Sequence, residues 1–263
     1  MIVCFDQEAP IEIVGGKGHH ISRMWQAGLP VPPGFCVTPD EIDISDSYEL
    51  YRAITALDSS ALAVRSSAIY EDAADASFAG MLMSRLNIPP EDVPPALQEI
   101  RKSASTPAAM AYCRRLNVPC LPRMAAVVQT FVTAEASGVL FMRDPQTAGE
   151  HFVVEASWGL GPGVVEGLVR PDRWTISTDG NVISAHIADK DIAIAPHQHG
   201  GTRQISVDPA CRRRPCINTG ILHQLSRLAT RCERLFAGPQ DIEWAVCDNR
   251  IWLLQSRPIT CSH

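Results

Sequence analysis

No stretch of this chain strings together the roughly 20 apolar residues that a membrane-spanning helix needs. The N-terminus offers only Met1-Ile-Val-Cys-Phe5 before Asp6, too short for the apolar core of a signal peptide. Positive charge is also scarce: 23 Lys and Arg stand against 29 Asp and Glu, for a formal net charge of −6. Nucleic acid is therefore a poor partner, because neutralising the phosphates of a duplex takes a basic face, whereas a small anion needs only a few well-placed cations. Paired cysteines are lacking as well. The nine cysteines are scattered without one Cys-x-x-Cys, and Cys211 and Cys216, the closest two, have no His or Cys partners at zinc-site spacing. Such usage fits reduced thiols, and the expected location is the cytoplasm. Internal repeats and low-complexity segments are absent too.

What is present is an ordinary globular balance, 46% hydrophobic and 20% charged in 263 residues, enough for one large core or two lobes around a cleft. Apolar spacing predicts helices at residues 19–27, 93–103, 107–116 and 217–236. Apolar and β-branched runs predict strands at 35–38, 61–65, 124–132, 138–142 and 152–156. A hairpin is expected from 174–177 and 182–187 around Asp179-Gly180-Asn181, and a second from 241–246 and 251–257. Residues 39–60 read as an acidic connector with a short helix. Helices and strands mix without strict alternation, so the expected class is α+β (mixed α/β) and not doubly wound.

Four segments carry candidate chemistry. Gly15-Gly-Lys17-Gly18 opens a helix, where backbone N–H groups favour an anion and a lysine adds a mobile charge. It lacks the G-x-x-x-x-G-K-[ST] spacing of a phosphate loop, and from the residues alone an ordinary turn is the better reading. Val64-Arg65-Ser66-Ser67 ends a buried strand, where Arg65 suits a bidentate phosphate contact or a surface pairing with Glu71 or Asp72. His197-x-His199 is open between a metal pair and a Gly-flanked loop.

The fourth is the C-terminal hairpin. Period-2 alternation puts Asp241 and Glu243 on one face of the first strand, and Gln255 and Arg257 on one face of the second. Register decides whether the two polar sets meet. A two-residue turn at Asp248-Asn249 would set Glu243 against Leu254 and send Gln255 to the other side. A three-residue loop, Asp248-Asn-Arg250, sets Glu243 against Gln255 and Asp241 against Arg257, with Asn249 or Arg250 left-handed. Only the odd loop gathers two carboxylates, a carboxamide and a guanidinium, an oxygen set suited to Mg²⁺ bridging substrate phosphates. The odd loop is therefore expected.

Taken in order, several segments resemble the ATP-binding domain of the phosphoenolpyruvate synthase, pyruvate phosphate dikinase and rifampin phosphotransferase family, an ATP-grasp relative. They are Gly15-Gly-Lys-Gly18 through Phe35, Ala63-Val-Arg-Ser-Ser-Ala68 through Ala76-Ser-Phe-Ala-Gly80, Val127-Val-Gln129 and Ser137-Gly-Val-Leu-Phe141. Glu155-Ala-Ser-Trp-Gly-Leu-Gly161, Asp241-Ile-Glu-Trp-Ala245 and Leu254-Gln-Ser-Arg-Pro-Ile-Thr260 complete the set. The resemblance implies an ATP-grasp-like, two-lobed nucleotide-binding fold, with lobes at residues 1–130 and 131–263. It implies that Lys17 and Arg65 contact phosphates, that Gly80 brings backbone close to them, and that Ser84 fills a nucleotide-contacting position usually held by threonine. Gln129 would lie at the hinge near the adenine, Asp241, Glu243 and Gln255 would hold the metal, and Arg257 would reach a phosphate. Departures are Pro162 where relatives commonly have glutamate, Met81 where glutamine often stands, and a shorter region before Ala61.

The cofactors implied are ATP and Mg²⁺. In the family, the ATP domain passes the β-phosphoryl group of ATP to a carrier histidine and releases AMP and phosphate. No carrier-loop pattern occurs here, and only Cys-Ser-His263 follows Thr260. The expected acceptor is therefore a histidine of a separate protein or a small molecule. An ATP-grasp-type kinase or ligase making ADP, and a non-catalytic nucleotide-binding regulatory module, are the alternatives.

Overall fold

The computed structural model describes residues 1–39, 47–68, 83–103, 106–107, 110, 124–144, 149 and 151–259. The expected helix at 107–116 falls largely outside them. Short strands from the first half of the chain build a five-stranded sheet: β1 (Ile2–Cys4), β2 (Gly34–Val37), β3 (Leu62–Ser67), β4 (Ser84–Ile88) and β5 (Ala125–Thr130), in the order β1-β2-β5-β3-β4. Every ladder in it is antiparallel. Alternation sorts its two faces. Phe35, Val37, Leu62, Val64, Ala126 and Val128 pack against α2 (Tyr48–Ala56) and α3 (Val93–Ser103), while Cys36 and Val127 belong to a second core built on α1 (Ile11–Gln26).

That second core continues into a six-stranded antiparallel sheet made of β6 (Ala136–Phe141), β7 (Phe152–Trp158), β8 (Asp172–Ile176), β9 (Val182–His186), β12 (Gln240–Cys247) and β13 (Arg250–Pro258). Its order is β13-β12-β6-β7-β8-β9. Leu140, Val154, Trp174, Ile242, Trp244 and Leu253 share one cluster with Val14, Ile21 and Met24 of α1 and with Ile221, Leu222 and Leu225 of α5 (Thr219–Phe236), a helix capped by the Asn218 side chain. Helix α1 thus packs on both sheets. The mixed helix-and-sheet class read from the sequence is the one observed, and the expected hairpin of β8 and β9 is present.

Four strands went unread in the sequence: β1, β4, β10 (Ile192–Pro196) and β11 (Thr202–Ser206). The one-turn helix α4 (Pro162–Val165) precedes β8, and β10 and β11 follow β9 as a separate hairpin. Its base is fixed by a fully buried ion pair, Lys190 Nζ to Asp172 Oδ1; Asp172 also accepts from the N–H groups of Ala188 and Cys216, each at 2.9 Å. Its turn reaches the first sheet. Asn87 of β4 donates from Nδ2 to the carbonyls of His197 (2.8 Å) and Gly201 (2.9 Å), and the Gly201 N–H donates back to Asn87 O at 2.9 Å.

The C-terminal hairpin has the expected register but not by the expected device. Glu243 stands opposite Gln255 and Asp241 opposite Arg257. The turn, however, has two residues: Cys247 pairs with Arg250, and Asp248 (φ 52°) and Asn249 (φ 58°) are both left-handed. Two left-handed residues match the twist of a tight hairpin, and Asp and Asn tolerate them well. The odd residue sits further along, at Leu254, where the register shifts between Glu243 and Trp244 and Trp244 pairs with Leu253. A β-bulge therefore performs the parity change that the sequence assigned to the loop.

Candidate functional site

Alternation on β12 sends Ile242 and Trp244 into the core, at most 1% exposed, and turns Asp241 and Glu243 to the opposite face. Gln255 and Arg257 share that face through the bulged register. The face meets the first sheet at Arg65, which comes from β3. Its Nη2 donates to Glu243 Oε2 at 3.1 Å and its Nη1 to the Leu254 carbonyl at 3.0 Å. The bulged residue has no partner in the β12 ladder, and its carbonyl is the one that receives the guanidinium. Arg65 (15% exposed) and Glu243 (22% exposed) are largely screened from solvent. Beside them Arg257 Nε donates to Asp241 Oδ2 at 3.3 Å. Neither Glu71 nor Asp72, the surface partners the sequence offered for Arg65, lies within the described residues.

Helix α1 is two helical segments joined at Gly15, whose φ of 73° and ψ of 170° are non-helical and open to glycine. Gly16-Lys17-Gly18 therefore opens the second segment, as the sequence suggested, with a first helical stretch from Ile11 ahead of it. The amides expected to face an anion are partly spent: Gly16 N–H donates to Ala68 O and Gly18 N–H to Ser67 Oγ, both at 2.9 Å. Ser67 Oγ in turn donates to Val14 O at 2.7 Å. This stitching holds α1 on the end of β3 and buries Lys17, 5% exposed, with Nζ donating to the Ser66 carbonyl at 2.9 Å. Lys17 of α1 is thereby anchored on β3 at the residue next to Arg65.

Ser84 pairs with Arg65 across the β3–β4 ladder and so shares its face, and Gln129, which pairs with Ala63, lies on that face too. Gln129 is buried, and its Nε2 donates to the Pro32 carbonyl at 3.2 Å. Phe131 and Val132, just beyond β5, and Leu254 of β13 pack on a small apolar cluster of Ala134, Leu160, Ile194 and Ala245. Gly80 lies outside the described residues. His197 and His199 sit on the β10–β11 turn with ring centroids 5.6 Å apart, which is the loop reading of that pair. Among the described residues no group of three or more His, Cys, Asp and Glu is placed to hold a metal. The oxygen set remains Asp241, Glu243 and the Gln255 carboxamide, a donor set that fits a hard cation completing its shell with water or phosphate.

The sequence reading gave no role to a further charged group on this face. Cross-strand pairing runs Gln255–Glu243–Val139–Glu155–Arg173, one row from β13 to β8. Arg173 pairs with Glu155 and, at 3.2 Å, with Asp144. At about 4.8 Å per strand this cluster begins about 10 Å from Glu243. Charges within otherwise apolar strands were the available signal, but the strand order that aligns them was not.

Burial lifts the Asp241 carboxyl above the ordinary aspartate value of 3.8, and the neighbouring Arg257 pulls it back only in part. The fold thus holds that proton more tightly than the unfolded chain does. The stability contributed is fully present below 3.8 and is lost as pH rises through the raised value. Asp241→Asn has no charge to desolvate, so it will melt at a higher temperature than the parent at neutral pH. The gap will close toward acid pH, which thermal melts across that range will show.

Compared with known proteins, the chain matches the family described as pyruvate phosphate dikinase, AMP/ATP-binding domain, over residues 41–263. It is 31% identical, over 95% of its length, to a probable phosphoenolpyruvate synthase of Methanocaldococcus jannaschii, and spans 26% of that protein. It is 33% identical, over 96% of its length, to a rifampicin phosphotransferase of Streptomyces sviceus, spanning 35% of it. The prodigiosin synthesizing transferase PigC of Serratia marcescens is 33% identical over 94% of the chain, which spans 31% of PigC. The chain thus covers under half the length of these curated relatives. Among solved structures, a D-alanine–D-alanine ligase of Bacillus anthracis is similar with a TM-score of 0.42 and 8% identity, over 94% of this chain and 57% of that one.

Proposed function

Because the chain belongs to the family of the pyruvate phosphate dikinase AMP/ATP-binding domain, we propose that it is an ATP-dependent phosphotransferase of the dikinase type. It binds ATP with Mg²⁺ where its two sheets meet. It then passes a phosphoryl group to a histidine of a separate protein or to a small-molecule acceptor, releasing AMP and phosphate, in the cytoplasm. The observation that carries this reading is Arg65, which brings a cation from β3 onto the carboxylate face of the hairpin.

In this reading residues 1–130 and 131–263 act as the two lobes of an ATP-grasp-like module. Lys17, Arg65 and Arg257 bind the phosphates, with Gly80 and Ser84 alongside, and Gln129 lies near the adenine. The apolar residues Phe131, Val132 and Leu254 offer that ring a surface to rest on. Asp241, Glu243 and Gln255 hold the metal, which when bound supplies neutralisation of phosphate charge. The protein's share of phosphoryl transfer is positioning and charge stabilisation, not covalent chemistry. Arg65 is suited to it, because fixed donors need little reorganisation as charge develops.

The test is to incubate the protein with Mg-ATP and candidate acceptors, including a histidine-bearing carrier protein, and to resolve the nucleotides by chromatography. AMP is the expected product; ADP as the sole product, or binding without turnover, overturns the dikinase assignment. Glu243→Ala is expected to lose metal-dependent turnover while keeping its circular dichroism spectrum. Undiminished activity in that variant removes the site assignment.

A further inference from the structure

Each carboxylate proposed to hold the metal has a guanidinium on it, and each of those guanidiniums is proposed to bind phosphate. Arg65 is on Glu243 at 3.1 Å, and Arg257 is on Asp241 at 3.3 Å. Two positive and two negative groups therefore cancel. The two pairs differ in what breaking them costs. Arg257 is 52% exposed, so water can replace its partner, whereas Arg65 and Glu243 are both mostly buried at the contact between sheets.

A nucleotide without metal that draws Arg65 onto its phosphates leaves Glu243 unpaired beside a polyanion. A metal without nucleotide that draws Glu243 leaves Arg65 unpaired beside a cation. Only the two ligands together let both groups exchange one opposite charge for another. The second bond of Arg65, from Nη1 to the Leu254 carbonyl at 3.0 Å, involves neither ligand and can persist through the exchange. The bulge thus gives the guanidinium a pivot while its other nitrogen changes partner.

From this geometry we infer that the Arg65–Glu243 pair makes the site selective for the metal–nucleotide complex, discriminating against metal-free nucleotide and against the divalent cation alone. The inference rests on the Mg-ATP reading above and adds that the two ligands bind with strong mutual coupling, set by this one pair. Arg65 and Glu243 then act as a specificity device as well as ligands, each screening the other from the wrong partner.

Isothermal titration calorimetry on the full chain tests it, using ATP in EDTA, Mn²⁺ alone, and the two together. The parent is expected to bind the pair and to bind either ligand alone far more weakly. Glu243→Gln, which frees Arg65, should bind metal-free ATP about tenfold more tightly than the parent. Arg65→Met, which frees Glu243, should bind Mn²⁺ alone about tenfold more tightly. That gain corresponds to release of roughly one charge-assisted hydrogen bond. The variants approach the pair from opposite sheets, and each is read by a ligand that does not need the residue removed. If the parent binds the pair but neither variant gains affinity for its single ligand, the coupling inference is overturned and the ATP reading stands. If the parent does not bind the pair, both are overturned.

Discussion

Arg65→Met will lower kcat/KM for ATP-dependent transfer by about a thousandfold, equivalent to about 4 kcal/mol of transition-state stabilisation. The side chain reaches from β3 to both strands of the C-terminal hairpin through Glu243 and the Leu254 carbonyl. Methionine fills similar volume without a donor. Stability should fall less than activity, by about 1–2 kcal/mol, for a carboxylate and a carbonyl left without this partner. Arg65→Lys separates charge from geometry. An ammonium keeps the charge as a compact point but lacks the planar fork that serves two acceptors at once. Activity between the parent and methionine variants is expected, about a hundredfold below the parent. Steady-state kinetics beside thermal melts check both, and a methionine variant with parental kcat/KM would remove Arg65 from the site.

Gly15→Ala is expected to cost the fold more than any exposed substitution. A Cβ there would stand 2.3 Å from the Ser67 carbonyl oxygen, and the residue's φ is 73°. Backbone cannot yield as a flexible side chain can, so α1 must lift from the end of β3. The bonds from Gly16 to Ala68 and from Gly18 to Ser67 then go with it. We expect a loss above about 3 kcal/mol, or about 10 °C in Tm, and a displaced Lys17. Gly28→Ala is the control. Its φ of 66° is also left-handed, but nothing lies within 4 Å of the added methyl group, so only the backbone penalty of about 1–2 kcal/mol applies. Equal losses in the two variants would show that close approach to Ser67 contributes nothing.

How far the sequence could be read depended on whether a residue's environment repeats along the chain. Strands β5, β6, β7 and β12 carry apolar runs or alternation because sheet neighbours bury them, and they were legible. Strand β11 has all five residues exposed and β4 has only Ile88 buried, so neither shows an apolar period; β9 is as exposed as β11 and was legible only beside the turn residues Asp179-Gly180-Asn181. Strand β1 has three residues, too few for a period. The candidate site followed the same rule. Asp241, Glu243, Gln255 and Arg257 could be singled out because polar and charged residues inside apolar strands show on which face they lie. Glu155 and Arg173 obey that logic too, but only the order β12-β6-β7-β8 aligns them with Glu243, and strand order is a tertiary property.

The hairpin shows where local reasoning runs out. Bringing Glu243 opposite Gln255 requires one odd residue between them, and alternation dictates the parity without the position. Asp248 and Asn249 accept left-handed backbone, so the tight turn was open to them, and the extra residue went to Leu254. There it exposes a carbonyl to Arg65, which an extra residue in the loop could not have done.

Placing that residue beside the site also insulates the site from the hairpin's tip. The pairs from Trp244–Leu253 to Cys247–Arg250 lie between the turn and the bulge, and Asp248 and Asn249 are exposed. Those rungs act as a spacer. The tip is consequently the natural place to splice in a fluorophore tag or an affinity epitope, because a longer tip adds length at the far end of a ladder whose chemistry is indexed from Leu254.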